Sequence, residues 1–527
     1  MKKNKLLITL LALALSATVV LAGCGGESYS SIHVVGEQDT SYTVKSQGGN
    51  AVQYGNYIYF INGTAGYTDD EGDANVWDKV VKGALYRAEL KGSKNGKDFV
   101  IDTDKAISPV TNEYLEFVST QGVDYDENSI DVVTVQKIAP KVIGTSGYSS
   151  GGIFIYDNYV YYATPNNRKN KAGDVQYKKT DFFRTSLDGK TTQRVFTTEA
   201  DSADSPYAFY KQDGKVYLVV LDGTTLKSVV MNDKKVEDTR AIAENVTGAY
   251  LPVKSEYDSE DKSVSAEDYV YFSREVDSDD IQRSGTVLEL MRPSGEERTI
   301  WLSDGQTASI EAVRDDTVFY RQVRNTNTVI AYSNLYDVFM GIEGGAYKNY
   351  ENNVPDAQKR TQVDGVAMRV GDISKYTYTY AFRPAAKKDP NSNVTYVLAS
   401  TGTNMTLFEG NRETTVNADS VTISAVHRSN GKIYAYFNNS DNYAARVNVF
   451  EENAEVEVVS DRDIISGGLP VDVCAGYVVY FGKIDDYASG YAVFNKLPGE
   501  GVEGSKAVFV GERNEDDVKP EDEDEEE

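Results

Sequence analysis

The side chains that could do chemistry in this chain are few in kind and plentiful in one class. Of 527 residues, 81 are Asp or Glu, while only two are His and two are Cys. Four-coordinate zinc and dithiol redox chemistry therefore lack ligands. The one nucleophile motif is Gly147-Tyr148-Ser149-Ser150-Gly151-Gly152, which satisfies G-x-S-x-G. That chemistry needs a strand before the serine, a helix after it and a histidine base downstream. The motif runs instead into Ile153-Phe154-Ile155-Tyr156-Asp157-Asn158-Tyr159-Val160-Tyr161-Tyr162, a strand pattern, and His427 is the only histidine further on. It reads as a small-residue loop between sheets. His33 falls in a polar spacer.

Oxygen ligands are abundant. Asp69, Asp70, Glu71 and Asp73 crowd around Gly72, and this loop is the best calcium candidate, since calcium takes six to eight oxygens on a flexible loop. Asp124, Asp126, Glu127 and Asp131 form a second cluster, and Asp277, Asp279 and Asp280 a third. None has the EF-hand spacing, and in so acidic a chain such loops are ordinarily solvated surface. Glycoside hydrolysis needs two opposed carboxylates, and nothing selects a pair here. Trp77, in the same acidic insertion, is a ligand-facing candidate because flat aromatics serve as platforms for sugars.

The elements that must position these residues repeat. Asn56-Tyr57-Ile58-Tyr59-Phe60 is followed by Leu85-Tyr86-Arg87-Ala88-Glu89-Leu90-Lys91-Gly92, and the stretch from Ile153 by Phe182-Phe183-Arg184-Thr185-Ser186-Leu187-Asp188-Gly189. Similar couplets start at Asp213, Glu267, Asp315, Asn393, Asn430 and Ala475. Successive copies lie roughly 40–60 residues apart, the spacing of four-stranded propeller blades. The runs YIYF, YVYY and YVVYF are apolar or aromatic throughout, as a strand covered on both faces requires. Their DN, DG and NG tips supply the positive φ of tight turns. With 38 Tyr against two Trp and six Met, composition also favours pleated surfaces. The expected fold is all-β: a single β-propeller of seven or eight four-stranded blades over 49–510, with loop insertions. Residues 93–150 and 337–392 break the rhythm, the first as a long loop or degenerate blade, the second with room for a short helix in its first half and a strand, KYTYTYAF, in its second.

The couplet resembles the propeller repeat of bacterial lipoproteins likened to the low-density-lipoprotein-receptor (YWTD-like) propeller. Residues 85–92 and 182–189 match best, the likeness fades from about 320 to 410, and no copy carries the W-T-D tripeptide. This resemblance implies a propeller fold and assigns no activity.

The N-terminus also resembles a known signal. Lys2, Lys3 and Lys5 precede the apolar run from Leu6 to Leu21, which ends in Leu21-Ala22-Gly23-Cys24. This is similar to the bacterial lipoprotein signal peptide (1–23), in which the cysteine is diacylated and becomes the mature N-terminus. Two acyl chains hold a bilayer durably where one is marginal. Residues 24–48 read as a flexible linker and 511–527 as a disordered acidic tail, eleven acids against two bases over 512–527. Loss of the signal, which carries three lysines and no acid, takes the formal charge from -27 to -30. Such a surface makes nucleic acid a poor partner. Cys474, the remaining thiol, has no disulfide mate and reads as a small buried hydrophobe.

The expectation is a monomer outside the cytoplasm, lipid-anchored to the cell membrane. It would have no catalytic residues and no cofactor beyond possible calcium, and it would bind a protein or surface ligand. An aromatic patch built by the insertions at 64–82 and 337–392 is the expected binding surface. The alternative is a hydrolase of glycans or peptides with channel-facing carboxylates. Solute capture is disfavoured because such binders normally close two lobes around a hinge.

Overall fold

The structure, a computed structural model, describes residues 44–55, 57–63, 83–92, 99–101, 131–132, 135–144, 151–166, 179–200, 205–254, 256–257, 265–276, 285–302, 308–314, 317–324, 327–334, 366–367, 376, 378–382, 396–401, 404–409, 412–417, 422–429, 432–460, 463–464, 472–483, 489–497 and 508–509.

Among the described residues, eight sheets of mostly antiparallel strands succeed one another along the chain. The chain runs through each sheet as a meander of four strands, so a tight turn joins each pair of neighbours wherever no insertion intervenes. Sheet 1 is built from Ala51–Tyr54, Tyr57–Ile61, Leu85–Gly92 and Val135–Ala139. Sheet 2 runs from Phe154–Tyr156 to Thr192–Thr197, and sheet 3 from Tyr207–Gln212 to Val236–Ala243. Sheet 4 starts at Val246–Tyr250, sheet 5 at Ala308–Arg314, sheet 6 at Tyr378–Phe382, sheet 7 at Thr422–Ser429 and sheet 8 at Asp472–Cys474. The turn Asp213-Gly214, with φ of 49° and 73°, shows why these dipeptides sit at strand tips: both positions need the left-handed region. The interval 93–150 supplies two extra edge strands. Phe99–Ile101 extends sheet 1, and Asp131–Val132 lies parallel to Val508–Phe509 on the outer edge of sheet 8.

The cores lie between sheets. All five residues of Tyr57–Ile61 are buried, because a middle strand is covered on both faces. One cluster joins sheets 1 and 2 through Tyr59, Ile61, Ile155 and Tyr162, and another runs through sheets 2, 3 and 4. Sheets 6 and 7 share a third. A fourth joins the first sheet to the last: Phe60 and Tyr86 of sheet 1 pack with Val479, Phe481 and Phe494 of sheet 8. Phe60 meets Phe494 edge to face, centroids 4.9 Å apart.

The abundance of tyrosine over phenylalanine stems from this layering. A ring wedged between sheets fills the gap, and its hydroxyl reaches a backbone carbonyl of a neighbouring sheet. Tyr59 Oη donates to the Leu187 carbonyl (3.1 Å), Tyr156 Oη to Phe209 (2.8 Å) and Tyr207 Oη to Gly152 (2.9 Å). Burial holds the Tyr59 phenol near pKa 12, against the opposing pull of Arg87, so it stays a donor.

Arginines on third strands make a second kind of hook. Arg87, 1% exposed, lies over the Tyr57 ring and donates through Nη1 to the Leu187 carbonyl at 2.5 Å, in the outer turn of sheet 2. Arg184 repeats this one sheet on, over Tyr159 and onto the Asn232 carbonyl of sheet 3, also at 2.5 Å. The couplet's arginine is thus a strap from one sheet to the next.

The first strands of sheets 8, 1, 2 and 3 start level with each other, since Asn50 bonds Asp472, Gly49 bonds Ile153, and Gly151 bonds Tyr207. In such a meander the second-to-third connections leave from this starting end, and the first-to-second and third-to-fourth connections from the other. The insertions at 64–82 and 337–392, expected to build one aromatic patch, lie outside the described residues apart from Val366–Ala367, Tyr376 and Tyr378–Phe382.

Candidate functional site

The end of the propeller axis where the first strands begin is the best described candidate. It is built by three short polar segments. Ser46, Gln47, Gly48, Gly49 and Asn50 lead into sheet 1, Gly151 and Gly152 lead into sheet 2, and Asp472 opens sheet 8. Gly48 N–H donates to the Ile153 carbonyl (2.9 Å) and Ile153 N–H to Gly49 (3.0 Å). Gly151 N–H donates to the Tyr207 carbonyl (2.7 Å). Ser46 Oγ donates to the Val473 carbonyl (2.7 Å) and Asn50 N–H to Asp472 Oδ2 (3.0 Å). These bonds form a collar that runs without a break from sheet 8 through sheets 1 and 2 to sheet 3.

The glycine-rich motif finds its explanation here. Gly152 has φ of +81°, and a Cβ on it would overlap the Gly48 and Gly49 carbonyl oxygens. Its job is close backbone approach, as the loop reading of the sequence anticipated. Ser149 itself lies outside the described residues.

Asp472 is the group that sequence reasoning missed. It is buried, and desolvation pushes its carboxyl from 3.8 up to about 7, against the lowering effect of the Asn50 backbone and side-chain bonds. At neutral pH it is poised between acid and carboxylate. Chemically it can accept from the Asn50 amide in either form. The signal was present in Val471-Asp472-Val473-Cys474, an acid inside an otherwise apolar strand. Nearby, Asn62 is fully buried and accepts from Ala492 N–H (3.1 Å), a second polar stitch between sheets 1 and 8.

Cys24, the calcium candidates Asp69, Asp70, Glu71 and Asp73, and Trp77 all lie outside the described residues. Cys474 is 1% exposed, and burial pushes its thiol up to about 12, which removes thiolate reactivity. His427 is exposed on the first strand of sheet 7. Among the described residues no three of His, Cys, Asp and Glu gather as a metal site.

No family model matches this chain, and no curated protein does. Among solved structures it is similar to the Dos1 propeller, at 6% identity over 89% of this chain and 96% of that one, with a TM-score of 0.43. It is also similar to the β-propeller domain of the Trilobed protease from Pyrococcus furiosus, at 8% identity over 69% and 95%, TM-score 0.36. Pyrococcus horikoshii acylaminoacyl peptidase is a third, at 9% identity over 69% of this chain and 52% of that one, TM-score 0.37, so this chain spans about half of that protein's length. The likeness concerns the fold, and the neighbours include propellers named as such and propellers joined to hydrolases. The receptor-like resemblance rests on the repeat motifs alone. The chain is a β-propeller protein, all-β and built of successive antiparallel sheets.

Proposed function

We propose that this β-propeller is a lipoprotein of the cell envelope, anchored outside the cytoplasm through Cys24, and that it binds a protein or surface ligand without performing chemistry. The Leu21-Ala22-Gly23-Cys24 box after an apolar run supports the anchor. The observation that carries the binding reading is at the axial mouth: Ser46, Asn50 and Asp472, where a propeller enzyme would gather its acids, are bonded to one another's strands. The acidic surface favours a partner with basic patches. The receptor-like repeat is part of the same proposal.

The hydrolase reading keeps one observation in its favour, the carboxyl of Asp472 held near neutrality. Two experiments test the proposal. Mass spectrometry of the mature N-terminal peptide should find a diacylated Cys24, and Cys24→Ala should release the protein from membranes. Cross-linking on intact envelopes should capture the same partner with wild type and Asp472→Asn. If Asp472→Asn instead keeps the partner bound but stops its turnover, the hydrolase reading replaces this one.

A further inference from the structure

Besides the edge strands Phe99–Ile101 and Asp131–Val132, two further strands lie outside the eight meanders. Val44–Lys45 pairs antiparallel with Ala51–Tyr54 on the edge that faces away from the rest of sheet 1, Val44 opposite Tyr54 and Lys45 opposite Gln53. On its other edge it pairs with Glu256–Tyr257, part of the long first-to-second connection of sheet 4, with Val44 opposite Tyr257 and Lys45 opposite Glu256. Ala51–Tyr54 is the first strand of sheet 1, flanked by the first strands of sheets 8 and 2, so its free edge is the axial one. The ribbon therefore occupies the axis.

The residues after it are stitched on every side. Gln47 exchanges two bonds with Ile155 of sheet 2, Nε2 to the carbonyl at 3.0 Å and Oε1 from the amide at 2.9 Å. Ser46 bonds sheet 8. Val253, from the sheet 4 connection, leaves no room for a Cβ at Gly48: the nearest approach would be 2.8 Å. One short segment thus touches sheets 1, 2 and 8 and an arm of sheet 4.

The register also fixes direction. Val44 lies level with Tyr54, beside the first-to-second turn, and the chain then climbs the axis to the collar at Asn50. We infer that the membrane tether is threaded: it joins the body on the axis at the turn end, so that end faces the bilayer and the collar end faces away. This rests on the lipid-anchor reading. Only nineteen residues separate Cys24 from Val44, a tether too short in sequence to carry the joined end far from the lipid. An axial attachment also holds the ring upright, where attachment at the rim would let it lie on its side.

The test uses the full lipidated chain in phosphatidylcholine vesicles carrying an energy-transfer acceptor on the lipid headgroups. Lys234→Cys and Glu244→Cys place a donor at either end of Val236–Ala243; both positions are exposed, and Cys474 is buried and will not label. The eight-residue strand separates the labels by about 26 Å, enough for roughly twofold higher transfer at the end nearer the lipid. Higher transfer from position 234 is expected. Equal transfer, or more from 244, with the protein bound to vesicles, overturns threading and leaves the anchor standing. Failure of the wild-type chain to bind vesicles overturns the anchor, and the inference falls with it.

Discussion

Sheets 1 and 2 meet across one seam, sheets 8 and 1 across another, and the two are held differently. At the first seam the partners are 100 to 128 residues apart in sequence, and long side chains on middle strands do the joining: Arg87 and Tyr59 both donate to the Leu187 carbonyl. At the second, the partners are 422 to 430 residues apart, and the polar stitches come from short side chains: Asn50 to Asp472 and Asn62 to Ala492, around the Phe60–Phe494 contact. Consecutive sheets are delivered to each other by a short connection and need only a strap. First and last must be brought together against the closure entropy of nearly the whole chain, and the contacts there are buried and tight.

The largest expected effect tests the strap. Arg87→Ala removes a fully buried side chain and leaves the Leu187 carbonyl with Tyr59 Oη alone, and should lower the unfolding free energy by about 3–5 kcal/mol in denaturant titration. A loss under about 1 kcal/mol would mean the seam does not depend on it. Gly152→Ala tests the collar that links both seams. The added Cβ, at positive φ and against two carbonyls, should cost about 2–4 kcal/mol, while Gly214→Ala, at similar φ with open space around it, should cost about 1 kcal/mol.

Asp472→Asn sharpens the closing seam through pH. The folded carboxyl keeps its proton to about 7, while the unfolded one loses it near 3.8. Wild-type stability should therefore fall as pH rises between those values and level off above, since the folded state binds the extra proton. The asparagine variant, still an acceptor for Asn50, should be roughly 1–3 kcal/mol more stable than wild type at pH 8, with the gap closing toward pH 4. A gap independent of pH would show that Asp472 is not buried at the seam. The smallest effect is pairwise: a double-mutant cycle on Phe60→Leu and Phe494→Leu should give a coupling of about 0.5–1.5 kcal/mol. Simple additivity would separate sheets 8 and 1.

Much of the architecture was legible because its signals are local. YIYF, YVYY and YVVYF announced doubly covered strands, and turn dipeptides such as Asp213-Gly214 marked their tips. The arginine of L-Y-R-A and F-F-R-T stood out as a repeat, yet its role was hidden, since its acceptor is a carbonyl on the next sheet. The axial ribbon was illegible for a related reason. Val44–Lys45 is two residues long, sits in a stretch that reads as spacer, and pairs on its second edge with Glu256–Tyr257, more than two hundred residues away. Asp472 shows the remaining gap: an acid in an apolar strand is visible, but not which amide will receive it.

Closure of the ring is the claim on which the mouth, the threaded tether and the two ends all depend. Amide hydrogen exchange at Asn50 tests it most directly, because that N–H is covered by Asp472 across 422 residues of sequence. The account predicts slow exchange at Asn50 in the wild type and fast exchange in Asp472→Ala, with Gly48, bonded to Ile153, still protected in both. Asn50 exchanging at the rate of an unstructured peptide in the wild type would contradict it.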